Sequence, residues 1–302
     1  MFNFSIHDLG RHRVAVAVVA AATTTTVVLP TVYVAYLNWA VRRRTTCSSG
    51  QLSPPPADQA SASSVPPRTP RSLPDEVMAN PEEWVVSYER VVSRPIPAAM
   101  LVHKLRGGGD DHDKQTTAGS SPSPLLTTYL RTTYKAFGWT PQAFLIRGLL
   151  AEPERRASFG AAHIDGLAFA DGDVVDGVYK VTSYQYRQSS SSSSSKGGSS
   201  SSAEVIELSI DVPRSYKGPA VRGLILSAVE EEEGEVEGPP VSAMPPPTTT
   251  TTAVAVRFVN ETWLWRKRDE KPTMLESGLG RWFHSLLAGW LVMKGLGGVV
   301  RR

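Results

Sequence analysis

Beyond residue 80 the chain switches between two hydrophobic periods, and each switch predicts a change of element. Residues 84–92 and 98–105 read as extended segments, with Pro95 and Pro97 marking a turn between them. Leu125, Leu126, Tyr129, Leu130, Thr133 and Phe137 then recur at three- and four-residue spacing, the stripe of an amphipathic helix. Gly138 suits its end, and Pro141 opens a second helix through Leu150. Four strands follow, at 173–186, 204–212, 221–229 and 254–266. The second alternates cleanly, with Ile206, Leu208, Ile210 and Val212 on one face and Glu207, Ser209 and Asp211 on the other. The links between these strands are loop-like, which predicts antiparallel pairing. The last element is a helix over 273–294, striped by Leu275, Leu279, Trp282, Leu286, Trp290 and Met293. An antiparallel sheet must bury a face, and this helix is its predicted cover. The fold class is α+β.

The order of two strands, two helices, four strands and a long helix resembles the helix-grip arrangement of the START and polyketide-cyclase superfamily. There, early helices lie between the first strand and a run of antiparallel strands, and a long C-terminal helix closes a cavity. The resemblance spans residues 98–297 and is one of element order. No family motif is matched residue by residue, so no family site is carried over. The strand at 84–92 precedes the first strand that arrangement expects, and the helix pair is short. A hotdog-like fold is the alternative; it explains the helix pair and the strands but leaves the last helix as an addition.

The N-terminal region follows another pattern. After a tail at 1–13, residues 14–41 carry no charge and are long enough for a helix to cross a bilayer, which takes about 20 residues. Tyr33, Tyr36 and Trp39 gather near its end, and Arg42, Arg43 and Arg44 stop it. This predicts one uncleaved transmembrane helix rather than a signal peptide, whose apolar stretch is shorter. The arginine cluster leans toward a cytosolic C-terminal domain on an endomembrane. Residues 42–73, rich in Pro, Ser and Ala, read as a disordered spacer, and 74–302 as a single domain. Low-complexity stretches at 106–124, 187–203 and 230–253 read as expanded surface loops, with Glu230–Glu233 a solvated loop tip. About 170 residues remain to build a core, which suits one domain.

The net charge is +3, the contribution of Arg42–Arg44 alone, which argues for a membrane surface and against nucleic acid. A single cysteine, Cys47, excludes an internal disulfide and a Cys-clustered zinc site. No metal site or cofactor is implied, and the glycine-rich stretches lack phosphate-loop spacing.

Three residues are candidates for acid–base chemistry. His163 and Asp165 stand two apart and, on an extended backbone, share a face. Glu261 lies in an apolar strand on the face of Trp263 and Trp265; beside a cavity it would be a buried carboxylate with a raised pKa. Asn260-Glu261-Thr262 also matches an N-glycosylation acceptor, read as chance inside a strand. Phe258, Trp263, Trp265, Trp282 and Trp290 are the expected cavity lining, and Arg147 an anchor for an acidic ligand group. His103 and His284 read as core histidines. The leading expectation is a membrane-anchored domain binding a hydrophobic small molecule or lipid between sheet and C-terminal helix. The alternatives are a cyclase, isomerase or thioesterase-like enzyme using Glu261, His163 and Asp165, and a membrane adaptor without catalysis.

Overall fold

The computed structural model describes residues 28–52, 67–106, 121–189, 201–218, 220–234 and 253–301. The chain divides into two units, Met1–Arg43 and Arg44–Arg302. In the first, helix α1 (Leu29–Arg44) stacks Tyr36 against Trp39 and places the Arg43 guanidinium 5.4 Å from the Trp39 ring centroid. Residues 14–27 of the expected transmembrane run lie outside the described residues. Among the described residues no helix is long and apolar enough to cross a membrane.

The second unit is α+β and built on one antiparallel sheet. Its strands are β1 (Thr45–Leu52), β2 (Trp84–Ser93), β3 (Ile96–Pro97), β4 (Val174–Val175), β5 (Tyr179–Ser189), β6 (Ser201–Ile210), β7 (Gly223–Gly234) and β8 (Ala253–Lys267). They are ordered β1-β2-β8-β7-β6-β5-β4, with β3 also paired to β8. The early strand β2 therefore sits beside the last one. The chain between β2 and β4 supplies α3 (Pro124–Phe137), α4 (Pro141–Leu149), α5 (Pro153–Ala157) and α6 (Ala161–Gly166); α2 (Asp75–Ala79) precedes β2 and α7 (Gly278–Val299) ends the fold. Ser123 and Thr140 cap α3 and α4 by accepting from Leu126 N at 3.2 Å and Ala143 N at 3.1 Å, each followed by proline at the first turn.

Both faces of the sheet are covered. On the helix face, α3 and α7 pack over Phe258, Val256, Ile206 and Leu208. Phe258 is fully buried with its ring 4.8 Å from Tyr129, and each such side chain contributes about 2 kcal/mol. Helix α7 lies close on α3 because Gly295 faces Tyr129 and Thr133, where a Cβ would come within 3 Å of both. On the opposite face, Leu73 and Val77 cover Trp84, Tyr88, Leu226 and Trp263. That second cover buries Glu207, expected on a solvent face; it accepts from Arg71 N at 2.8 Å and Ser72 N at 2.7 Å.

Four further expectations are corrected. Residues 45–52, placed in the disordered spacer, form edge strand β1, in register with β2 from Thr45↔Ser93 to Leu52↔Val86. Its small polar residues carry no hydrophobic signal; the unpaired edge of β2 recruits it. Residues 98–105 are not a strand. Pro97 lacks an N–H, β3 ends there, and a 3₁₀ turn at Ala98–Met100 follows. Leu101 then bridges Val300 and tethers the chain's end. Asp173–Tyr186 breaks into a hairpin at Asp176 and Gly177, both at positive φ (47° and 67°). Glu230–Glu233 is the end of β7, paired to β8, and not a loop tip.

Candidate functional site

Helices α3 and α7 do not close fully on the sheet. A chamber of about 160 Å³ remains, walled by Tyr134 and Phe137 of α3, Leu287 and Leu291 of α7, and Leu264 of β8. A second, apolar chamber of about 240 Å³ lies between α4 and the β5–β6 end, against Ile146, Leu149, Val178 and Tyr216. Gln142, Tyr179, Ile210 and Val221 line both, so the two adjoin. An apolar cavity of about 150 Å³ holds a benzene-sized molecule, and the two chambers together reach the lower end of ligand-pocket volumes.

The inner chamber has a polar side. Asn260 and Thr262 stand two apart on β8 and so share the helix face. They are 7% and 4% exposed, line the chamber, and their side chains have no hydrogen-bond partner among the described residues. His284 of α7, 9% exposed, lines the same chamber. Its Nδ1 lies 2.9 Å from Oε1 of Glu89, a carboxylate 1% exposed on β2. Ser285 donates to Glu89 Oε2 at 2.8 Å, and Cys47 Sγ donates to Ser285 Oγ at 3.4 Å. Burial pushes the Cys47 thiol up, so it stays protonated and donates. A carboxylate oxygen is the acceptor in this pair, so Nδ1 is the nitrogen that donates, and Nε2 is the nitrogen left without a hydrogen bond among the described residues.

Most of the residues expected from sequence lie elsewhere. His163 and Asp165 are on helix α6, where positions two apart diverge by about 200°. His163 Nε2 contacts Val174 O at 3.1 Å, Asp165 pairs with Lys135 at 2.7 Å, and both contacts are exposed. Glu261 is buried, but on the face away from α7. It is ion-paired with Arg90 and accepts from Trp263 Nε1 at 3.0 Å. Burial raises its pKa, with Arg90 opposing. Trp263 and Trp265 share that face, and Trp263 packs 5.2 Å from Tyr88. Phe258 is on the helix face, beneath α3; five positions from Trp263, it cannot share a side with it. Trp282 is exposed at the start of α7, while Trp290 packs on the core under Lys294. Arg147 is exposed and lines neither chamber.

A third cavity, about 220 Å³, lies on the face of Glu261, among Arg68, Arg90, Arg187, Glu207 and Glu230. Its carboxylates are engaged: Arg90 reaches Glu230 at 2.7 Å as well as Glu261, and Glu207 caps backbone amides. Among the described residues no group of three His, Cys, Asp or Glu is placed to hold a metal ion. Glu89 is not among the sequence candidates, and His284 reads there as a core histidine. The available signal was a charged residue at the centre of the apolar run 84–92. Its partner, 195 residues away, leaves no such trace. The chain matches no family model, and no curated protein and no solved structure matches it.

Proposed function

We propose that the second unit is a binding domain for a small amphipathic molecule, held at a membrane by residues 14–41. The two adjoining chambers carry this reading: a ring-sized inner space with a polar side that includes Asn260, Thr262 and His284, adjoining an apolar outer one. An apolar body fills the outer chamber, and a polar head meets Asn260 and Thr262, which otherwise lack partners. The placement of early helices before the main run of strands, with a long helix after it, supports the helix-grip resemblance. The uncharged run and the arginines after it support the anchor, with the domain on the cytosolic side of an endomembrane.

The test is a titration of the purified full chain with 6-acetyl-2-(dimethylamino)naphthalene, a fluorescent aromatic ketone whose emission shifts blue in apolar surroundings. Saturable one-to-one binding is expected, and Ala288→Trp, which fills the inner chamber, removes it with the circular dichroism unchanged. An unshifted emission in the wild type, or the same response in the folded variant, overturns the reading.

A further inference from the structure

The polar side of the inner chamber is more than an anchor. We infer that it is a proton-transfer site for a ligand with an enolisable carbonyl group, an inference that rests on the binding reading above. His284 is the base, Glu89 positions it, and Asn260 and Thr262 receive the carbonyl oxygen. Four observations converge on this. The Glu89 carboxylate is almost fully buried and holds His284 Nδ1 at 2.9 Å. Ser285 fixes the second carboxylate oxygen at 2.8 Å, so the carboxylate cannot turn away. Nε2 has no hydrogen bond among the described residues, and the imidazole lines the chamber. Two further buried side chains that can donate, Asn260 and Thr262, line the same chamber and have no hydrogen-bond partner among the described residues, and Thr262 is the cross-strand neighbour of Glu89.

The step balances without a co-reactant. The C–H bond beside the carbonyl breaks, its proton goes to Nε2, and its electron pair moves through the carbon–carbon bond onto the oxygen. The developing charge meets the Asn260 amide and the Thr262 hydroxyl. The imidazolium that forms is held against Glu89. Return of a proton from Nε2, to the same carbon or to a conjugated one, regenerates the neutral histidine and releases ligand or isomer. The titratable groups around His284 are Glu89 from β2, the Cys47 thiol from β1, and Arg281 one turn earlier on α7, which acts on that thiol electrostatically. β8 presents neutral Asn260 and Thr262, and α3 presents Tyr134.

The same aromatic ketone tests this. Its acetyl methyl protons exchange with D₂O only by enolisation, and mass spectrometry counts the deuterium. The full chain is expected to accelerate exchange about 10²-fold over buffer, with a pH profile rising as the histidine loses its proton. His284→Gln brings exchange back to the buffer rate while the fluorescence shift persists. Glu89→Gln lowers exchange and displaces the pH profile, which a merely structural residue would not do. Asn260→Leu with Thr262→Val lowers exchange without touching the base, and covers the case in which the Glu89 variant does not fold. Buffer-rate exchange with the ketone bound overturns the inference and leaves the binding reading standing. Wild-type exchange in His284→Gln overturns it as well. Absence of the fluorescence shift removes both.

Discussion

The two faces of the sheet carry similar polar residues in opposite circumstances. On the face covered by residues 67–79, Glu261, Glu230 and Glu207 are each engaged by a guanidinium or by backbone amides. On the face covered by α3 and α7, Asn260 and Thr262 are buried without a hydrogen-bond partner among the described residues, where His284 is held by one nitrogen only. Burial without a partner costs stability, and a fold retains it where the missing partner arrives from outside. A buried carboxylate is thus a poor guide to function by itself. Glu261 looks catalytic in sequence and is structural; Glu89 is equally buried and belongs to the site.

The largest expected effect is pH-dependent and lies at Asp176. It is fully buried at a turn beside the helix-face core, neither oxygen has a hydrogen bond among the described residues, and burial raises its pKa to about 8. The folded state then binds the proton more tightly than the unfolded chain, whose carboxyl titrates near 4. Stability contributed by the protonated form is present below about pH 4 and is lost as pH rises through 8. Asp176→Asn, which also suits the positive φ, is expected to gain about 5 kcal/mol at pH 8 and nearly nothing at pH 4. Equal gains at both pH values in thermal unfolding would show that Asp176 does not titrate in this way.

The contrast itself breaks most sharply at Arg90. Its loss leaves Glu261 buried and unpaired, so Arg90→Ala is expected to cost about 3 kcal/mol in urea unfolding, somewhat less than a fully buried pair because Arg90 is partly exposed. A cost under about 1 kcal/mol would make the opposite face no more structural than the helix face.

The smallest effect sharpens the comparison from the other side. Asn260→Leu with Thr262→Val removes two buried polar groups that lack partners among the described residues, so unfolding free energy should hold or rise by about 0.5–1 kcal/mol. A loss as large as that of Arg90→Ala would mean these side chains have structural partners.

Much of the architecture was legible before any coordinates. The stripe from Leu125 to Phe137 appears as α3, the alternation at Ile206 and Leu208 as β6, and the late apolar stripe as α7. The antiparallel pairing of β5 through β8 follows from the loop-like links between them. Local signals failed where pairing, rather than pattern, makes the element. β1 has no apolar period and exists because β2 offers an edge. The segment after Pro97 has the apolar residues of a strand, but the proline ends the pairing and the chain turns into a 3₁₀ helix. Period two also placed Trp263 and Phe258 on different sides, but could not say which side α7 would cover.

By itself, the sequence determined the longer elements from α3 onward, their order, the α+β class and the uncharged run near the N-terminus, because these depend on the period and punctuation of neighbouring residues. Only the tertiary structure decided that both faces are covered, that Glu261 is neutralised by Arg90, and that Glu89 meets His284 beside an open chamber. Those outcomes depend on contacts between residues more than a hundred positions apart, and on space left unfilled between packed elements. Neither quantity is written in any local stretch of chain.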